Sequence, residues 1–370
     1  MKRTQLIFVG GFLGSGKTTL LWEAAQKVMK KGQRVGLITN DQASELVDTA
    51  ILSRDEVKVA EVNGSCFCCN FSGLIDATRK LKKEAEADVI IAEPVGSCTD
   101  LSATIVQPLK ENLRGELLVS PLTVLADPVR LTDILNGGNA GLHPSAAYIY
   151  KKQLEESDII LISKSDMISS EELTLLKEKT SLHFPDSELM AVSSVSGEGM
   201  EEWLKKVQNS NESGKRLVEV DYDVYAEGEA VLGWLNTTIE LSGNSVDWDA
   251  FAQTLMQSLS KQFDSMGASV GHVKILVESG DKFTVSNLTG QSSTLTFRQS
   301  AGISNNARLT VNARVEMMPE SLENIVRTAL DKVTETSISQ KIIASRCLSP
   351  GRPNPTFRFD HVVPIWESQG

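Results

Sequence analysis

Several features are scarce in this chain, and each scarcity removes a class of function. No apolar run reaches the roughly 18 residues of a membrane-spanning helix, so a membrane partner is not expected. Basic residues are outnumbered, 37 Lys and Arg against 48 Asp and Glu, and the net charge of −11 argues against nucleic acid as a partner. The four histidines, His143, His183, His272 and His361, are scattered; there is no His-rich segment, and each reads as structural. The five cysteines are odd in number and three of them crowd together, which fits metal or redox chemistry in a reducing compartment better than a disulfide framework. Lys2 and Arg3 precede an apolar run, but it breaks at Gly10-Gly11 and so reads as a strand, not a signal peptide. A cytoplasmic protein is expected. No repeat of solenoid spacing is visible. What is present is an ordinary globular composition, 41% hydrophobic and 23% charged, over 370 residues, enough for two or three domains.

The stretch that organises the chain is Gly11-Phe12-Leu13-Gly14-Ser15-Gly16-Lys17-Thr18-Thr19. It follows an apolar strand, Leu6–Val9, and opens a helix-forming run from Thr19 to Lys31 that stops at Gly32. Strand, glycine loop and helix N-terminus form a phosphate cradle, in which Lys17 reaches the β- and γ-phosphates and the Thr18 hydroxyl ligates magnesium. A nucleoside triphosphate is the expected ligand.

From Met1 to Asn209, apolar runs alternate with helical patterns, predicting a parallel sheet with helices on both faces. The predicted strands are Leu6–Val9, Val35–Thr39, Val57–Glu61, Val89–Glu93, Leu117–Ala126, Ile159–Ser163 and Glu188–Val192. A polar linker follows at Asn209–Lys215. Beyond it come strands at Val231–Leu241, His272–Glu278, Lys282–Asn287, Thr294–Arg298 and Leu309–Met317, with helices at Trp248–Met266 and Pro319–Thr334. That order predicts a smaller α+β layer of ferredoxin-like type. The expected units are 1–210, 218–340 and an irregular tail, 341–370; Trp234 and Trp248 read as core.

Two more strand ends carry chemistry. Val89–Glu93 ends in a carboxylate followed by Pro94-Val95-Gly96. In an open parallel sheet, ligands bind beyond the carboxyl ends of the strands, so Glu93 is expected near the phosphates as an acceptor for magnesium or water. Ile159–Ser163 runs into Lys164-Ser165-Asp166. The Asp166 carboxylate can accept from N1–H and the exocyclic amine of guanine, which favours GTP over ATP, and the Lys164 stem can lie across the base. Backbone N–H groups of the following segment, beginning at Ser193, can meet the guanine oxygen.

Between these motifs stands Ser65-Cys66-Phe67-Cys68-Cys69-Asn70. Cys66, Cys68 and Cys69 supply three of the four ligands of a tetrahedral soft-metal site. Zinc(II) or cobalt(II) suits them, with the fourth ligand a water, another side chain or a client protein. Cys98, just past Glu93, is within reach of nucleotide or metal, and the sequence leaves its role open; Cys347 reads as an unrelated thiol.

The C-x-C-C loop between the glycine loop and the E-x-x-G strand end resembles the CobW/HypB/UreG group of P-loop GTPases, in its CobW-like branch. Gln153–Asp158 extends the likeness, which covers Met1 to Trp203. The resemblance implies GTP hydrolysis that drives metal delivery, and nucleotide contacts at Gly14, Ser15, Gly16, Lys17, Thr18 and Thr19. It also implies magnesium or catalytic roles for Glu93 and for Asp41 or Asp48, in a switch-like loop over Asn40–Asp48, with metal on Cys66, Cys68 and Cys69. Related GTPases dimerise across the nucleotide face, which suggests a homodimer. Three departures stand out: Ser65 where the family has Gly, Ser163 where its guanine motif has Asn, and Gln42-Ala43-Ser44-Glu45 in place of a Phe-Gly turn. The expected function is a GTP-hydrolysing metallochaperone serving a client metalloenzyme. The alternatives are a GTP-dependent switch that activates or protects a cobalamin enzyme, and a plain metabolic kinase.

Overall fold

The computed structural model describes residues 3–41, 57–210, 212–290, 295–335 and 337–364. Its first layer is built on β1 (Thr4–Gly11), β2 (Val35–Asp41), β3 (Lys58–Asn63), β4 (Val89–Glu93), β5 (Leu117–Val119), β6 (Thr123–Ala126), β7 (Ile159–Ile162) and β8 (Glu188–Ala191). These form one parallel sheet in the order β3-β2-β4-β1-β6-β7-β8, with β5 paired to the start of β1. The single strand expected over Leu117–Ala126 is therefore two, broken at Ser120-Pro121-Leu122, because proline cannot donate to a ladder.

Continuous apolar runs make these strands central ones, and the two-residue period divides them between two cores. Leu6, Phe8, Ile90, Ala92, Ile160 and Ile162 pack into one; Ile7, Val9, Val89, Ile91, Ile159 and Leu161 pack into the other. The helices α1 (Lys17–Lys30), α2 (Phe71–Glu84), α3 (Gln107–Asn112), α4 (Pro128–Leu135), α5 (Pro144–Glu156), α6 (Ser170–His183) and α7 (Met200–Asn209) cover those faces. In α1 the buried positions Leu20, Leu21, Ala24, Ala25 and Val28 form one stripe, as the 3.6-residue period requires.

The polar stretch after α7 is pinned to the first sheet. Gly214 and Lys215 donate backbone N–H groups to the Asp158 carboxylate at 2.7 and 3.0 Å. A further helix, α8 (Tyr222–Ala230), has no counterpart in the sequence reading. Its Tyr225 is buried in the first core, so the first unit extends past the polar stretch.

The second sheet is antiparallel, in the order β12-β11-β10-β13-β9-β14. Its strands are β9 (Leu232–Asp247), β10 (Val270–Ser279), β11 (Lys282–Leu288), β12 (Thr296–Arg298), β13 (Ile303–Glu316) and β14 (Ile338–Leu348), with α9 (Trp248–Met266) after β9 and α10 (Pro319–Thr334) after β13. Taking β9, β10, β13 and β14 as the four core strands, the spatial order is fourth, first, third, second, the ferredoxin-like arrangement, extended by the β11–β12 hairpin. The expected irregular tail is corrected at its start: Ile338–Leu348 pairs along β9 as an edge strand. On β10, Val273, Ile275 and Val277 face the helix layer. His272 and Lys274 therefore project from the opposite face, which lies over the glycine loop. Among the described residues no helix is long and apolar enough to cross a membrane.

Candidate nucleotide and metal site

The glycine loop leaves β1 and is closely packed on two sides. Gly14 has φ 79°, and a Cβ there would fall 2.6 Å from the Thr289 methyl, so the second sheet approaches the loop at backbone distance. Gly96, in the turn after Glu93, is similarly confined: a Cβ would sit 2.7 Å from Leu13 and 3.0 Å from the Lys17 ammonium. Gly16, at the N-cap of α1, provides no side-chain cap for the first-turn N–H groups. A Cβ built there would meet nothing within 4 Å. The Ser15 hydroxyl is buried and has no hydrogen-bond partner among the described residues. Open space, uncapped helix N–H groups and an unpartnered hydroxyl fit an oxyanion of the phosphate type.

Lys17 donates from Nζ to the Gly11 and Phe12 carbonyls at 2.8 and 3.3 Å and lies 3.8 Å from Glu93 Oε1. The Thr18 hydroxyl donates to Glu93 Oε2 at 3.3 Å. The strand end of β4 thus delivers its carboxylate to the lysine and the hydroxyl that the glycine loop presents. Magnesium, if bound with nucleotide, would be held by Thr18 and Glu93, two oxygen donors already side by side, and would neutralise phosphate charge there.

Lys164 has φ 53° and reaches back over the loop, donating to the Gly14 carbonyl at 3.2 Å and to Asp127 Oδ2 at 2.7 Å. Burial raises the Asp127 carboxyl, but Lys164 and Arg130 together offset it and hold the group below its usual range. Asp166 is exposed beside this rim. Ser193 is buried and its hydroxyl accepts from the Val195 and Ser196 N–H groups at 3.2 and 3.0 Å, fixing the neighbouring turn. Thr19 receives a bond from Arg298 at 3.4 Å. Asp41 closes β2; Asp48, with the rest of the expected switch loop after Asp41, lies outside the described residues.

The second sheet supplies groups that no local motif announced. Lys274 Nζ donates to the Thr18 hydroxyl at 3.3 Å. Arg130, largely buried on α4, donates to the Leu13 carbonyl at 2.8 Å and to the Val270 and Gly271 carbonyls at 3.0 and 3.3 Å, tying loop to β10. His272 is held well below the usual imidazole range, first by burial and then by Lys274, Arg314, Lys17 and Arg130. An acidic chain thus gathers five cationic side chains, Lys17, Lys164, Lys274, Arg130 and Arg298, around its glycine loop. The only sequence signal was the alternation of His272 and Lys274 with apolar neighbours; these positions lie some 250 residues from the loop they cover, beyond any spacing rule.

The cysteine loop lies at the same carboxyl edge of the sheet. Asn40, the penultimate residue of β2, donates from Nδ2 to the Val62 and Ser65 carbonyls, each at 2.8 Å, and accepts from the Phe67 N–H at 2.8 Å. It clamps both limbs of the loop. The Cys66 carbonyl accepts from Cys69 N–H at 3.1 Å and Asn70 N–H at 2.9 Å, and Asn70 then caps α2. The sulfurs converge: Cys66 to Cys68 3.0 Å, Cys66 to Cys69 3.2 Å, Cys68 to Cys69 3.8 Å. A tetrahedral zinc with Zn–S near 2.3 Å places its sulfurs about 3.8 Å apart, so the trio needs less than an ångström of expansion to hold one. Hydrogen bonding from Cys68, then Cys69 and Cys98, holds the Cys66 thiol well below its usual range. The bond with Cys66, with burial adding to it, pushes Cys69 up to about 11 although Cys68 opposes the shift.

The chain's last described segment straps this loop. Asn354 N–H donates to Cys69 Sγ at 3.3 Å, Thr356 N–H to the Cys68 carbonyl at 2.8 Å, and the Phe357 ring stands edge-on to Phe71 at 5.2 Å. Arg358 closes the strap on Asp100 at 2.6 Å. His143 caps α5, and Cys347 donates to the Pro319 carbonyl, far along the chain from the trio.

Comparison with known proteins adds to this geometry. A zinc chaperone CobW from a Sinorhizobium species is 26% identical over 199 residues, 47% of this chain and 54% of that protein. A zinc-regulated GTPase metalloprotein activator 1 from Dictyostelium discoideum is 24% identical over 198 residues, 46% of this chain and 41% of that protein. The chain thus spans about half the length of these curated relatives. Among solved structures, Zn(II)-bound YjiA GTPase from E. coli matches with TM-score 0.36 at 15% identity, over 90% of this chain and 100% of that one. HypB from Helicobacter pylori in complex with nickel matches with TM-score 0.42 at 19% identity, over 60% and 92%. The model of the family described as CobW/HypB/UreG, nucleotide-binding domain, matches residues 5–189. That match takes in half of the chain, from the strand before the glycine loop to the last strand of the parallel sheet, and the chain belongs to the CobW/HypB/UreG family.

Proposed function

We propose that this protein is a GTP-hydrolysing metallochaperone whose nucleotide state controls a thiolate metal site. The observation that carries the reading is the Asn40 clamp: one buried side chain on the last turnless stretch of β2 holds the cysteine loop by three hydrogen bonds. The chain continues from there into the segment where GTPases of this family sense the γ-phosphate. Glu93 performs the matching service from β4, since it contacts Lys17 and Thr18 at one end of a turn that carries Cys98 at the other.

In this scheme Lys17 and the α1 N-terminus hold the phosphates, and Thr18 and Glu93 hold magnesium. Lys274 balances charge on the phosphate side, and Asp166 with Lys164 selects guanine. Catalysis is positioning plus electrostatic stabilisation, as phosphoryl transfer generally requires. Asp41 stands at the entry of the switch segment as the candidate for orienting water or metal. Cargo metal, zinc(II) or cobalt(II), binds to thiolates of Cys66, Cys68 and Cys69 with loss of their protons and passes to a client metalloenzyme. The names of the curated relatives, zinc chaperone and zinc-regulated GTPase activator, support zinc as the cargo.

The test is GTP hydrolysis by the reduced protein without metal and with zinc(II) or cobalt(II), beside Cys68→Ser. A metal-dependent rate that the variant loses supports coupling. Equal zinc affinity with and without a non-hydrolysable GTP analogue, together with a rate indifferent to metal, overturns it. The family's other mode, a conformational switch acting on a cobalamin enzyme without carrying free metal, would then describe the chain better.

A further inference from the structure

We propose that Asp127 is the positioning residue of the guanine-recognition segment, acting by holding the Lys164 ammonium against the glycine loop. The inference rests on the guanine reading above.

β6 and β7 run side by side with Ala126 opposite Ile162, so Asp127 and Lys164 leave the sheet at the same carboxyl edge. The Lys164 ammonium donates both to Asp127 Oδ2 at 2.7 Å and to the Gly14 carbonyl at 3.2 Å. It is the tie between the base-side strand and the phosphate loop. Lys164 also stands at the N-cap of the three-residue turn Ser165–Met167, which carries Asp166. Fixing the ammonium therefore fixes the turn on which the base-reading carboxylate stands. Ser163, where the family's guanine motif has Asn, does not supply this tie. It is buried, and its N–H and its hydroxyl are both given to the Ala126 carbonyl, at 2.9 and 3.2 Å.

An aspartate just before Pro128 has an ordinary role as the cap of α4, and Asp127 fills that role with one oxygen only. Oδ1 accepts the Val129 and Arg130 N–H groups at 3.0 and 3.2 Å, while Oδ2 is given to Lys164. Serine or asparagine caps a helix about as well as aspartate. Only a carboxylate keeps a second, charged oxygen for an ammonium. The pair is also sheltered, with the Lys164 and Asp127 side chains 30% and 16% exposed, so water competes for it less than for a surface pair. Without that anion the long lysine stem regains its rotamers, and Asp166 loses its fixed distance from the glycine loop.

Binding of hydrolysis-resistant GTP and ATP analogues, and of inorganic tripolyphosphate, is measured by calorimetry with magnesium. The full chain is used as wild type, Asp127→Ser, Lys164→Ala and the double variant. Wild type is expected to prefer the guanine analogue, and Asp127→Ser to lower the GTP-to-ATP affinity ratio by about fivefold. Tripolyphosphate affinity and the thermal midpoint, which follow the loop and the helix cap, should move far less. Because Asp127 acts through Lys164, the double variant should lose no more selectivity than Lys164→Ala alone. A ratio unchanged in Asp127→Ser, or losses that simply add in the double variant, overturns the assignment and leaves the guanine reading standing. A wild type with no preference for GTP over ATP overturns the guanine reading and this assignment with it. If Asp127→Ser fails to fold, Lys164→Ala decides the matter: selectivity unmoved there overturns the assignment, and selectivity lost there with tripolyphosphate binding kept supports it.

Discussion

Asn40 illustrates how much one amide can carry. Asn40→Ala leaves the Phe67 N–H without its acceptor, and a buried unsatisfied donor costs about 1–3 kcal/mol. We expect a lower denaturation midpoint and zinc binding weakened by about tenfold or more, with nucleotide affinity nearly unchanged; isothermal titration of each ligand separates the two. Asn40→Asp keeps the acceptor but turns a charge toward the Val62 and Ser65 carbonyls, so it should do no better than alanine. Lys274 makes a different case, since its ammonium bonds the Thr18 hydroxyl of the glycine loop. Lys274→Ala should lower kcat/KM for GTP by about tenfold or more, in line with loss of one preorganised charge, while thermal stability moves little. Unchanged kinetics would remove the second sheet from the catalytic account. Neither residue stood out in the sequence as a candidate. Lys17, Thr18, Glu93 and the cysteine trio did, because the chemistry expected of them is written in spacings of a few residues. Asn40 was noted only as the first residue of a loop, and Lys274 only as part of a strand.

At the scale of elements, the seam between α5 and the turn after β4 has its own pH dependence. Glu156 is fully buried, and burial pushes its carboxyl up to about 8, against bonds from the Ser102 N–H and the Thr99 hydroxyl that only partly offset it. An unfolded glutamate titrates near 4.3, so the folded chain keeps a proton that the unfolded chain releases. The resulting stability is complete below about pH 4.3 and is lost as pH rises through about 8, with a slope of up to about 1.4 kcal/mol per pH unit. Denaturation midpoints at pH 6 and pH 9 should therefore differ, and Glu156→Gln, which has no proton to lose, should flatten the difference. The central strands and the two long helices of the second layer were legible from their periodicity, α9 and α10 to the residue. The elements missed have physical reasons. The α8 segment has little apolar periodicity and is ordered by packing on α5. The β14 edge strand is largely exposed, so its side chains carry little of the alternation that marks a half-buried strand.

At the scale of the molecule, the chain's two sheets and its final strap meet around one pair of loops. Ending the chain at Leu348 removes the Asn354, Thr356 and Arg358 contacts to the cysteine loop and to Asp100. The expected outcome is faster reaction of Cys69 with a thiol reagent and faster zinc exchange to a chelator, with nucleotide affinity preserved. Equal thiol reactivity in full and shortened chains would show that the strap is not a cover. The ferredoxin-like layer was legible as a fold, but its position was not. Gly14 against Thr289 and Arg130 between Leu13 and β10 are products of tertiary packing alone.

That seam has a mechanical meaning. The Arg130 guanidinium holds the Leu13 carbonyl of the glycine loop together with the Val270 and Gly271 carbonyls of β10, and Gly14 leaves no room for a side chain beside Thr289. A shift of the second sheet against the first is therefore a shift of the glycine loop as well, and the joint acts as a lever between the two lobes.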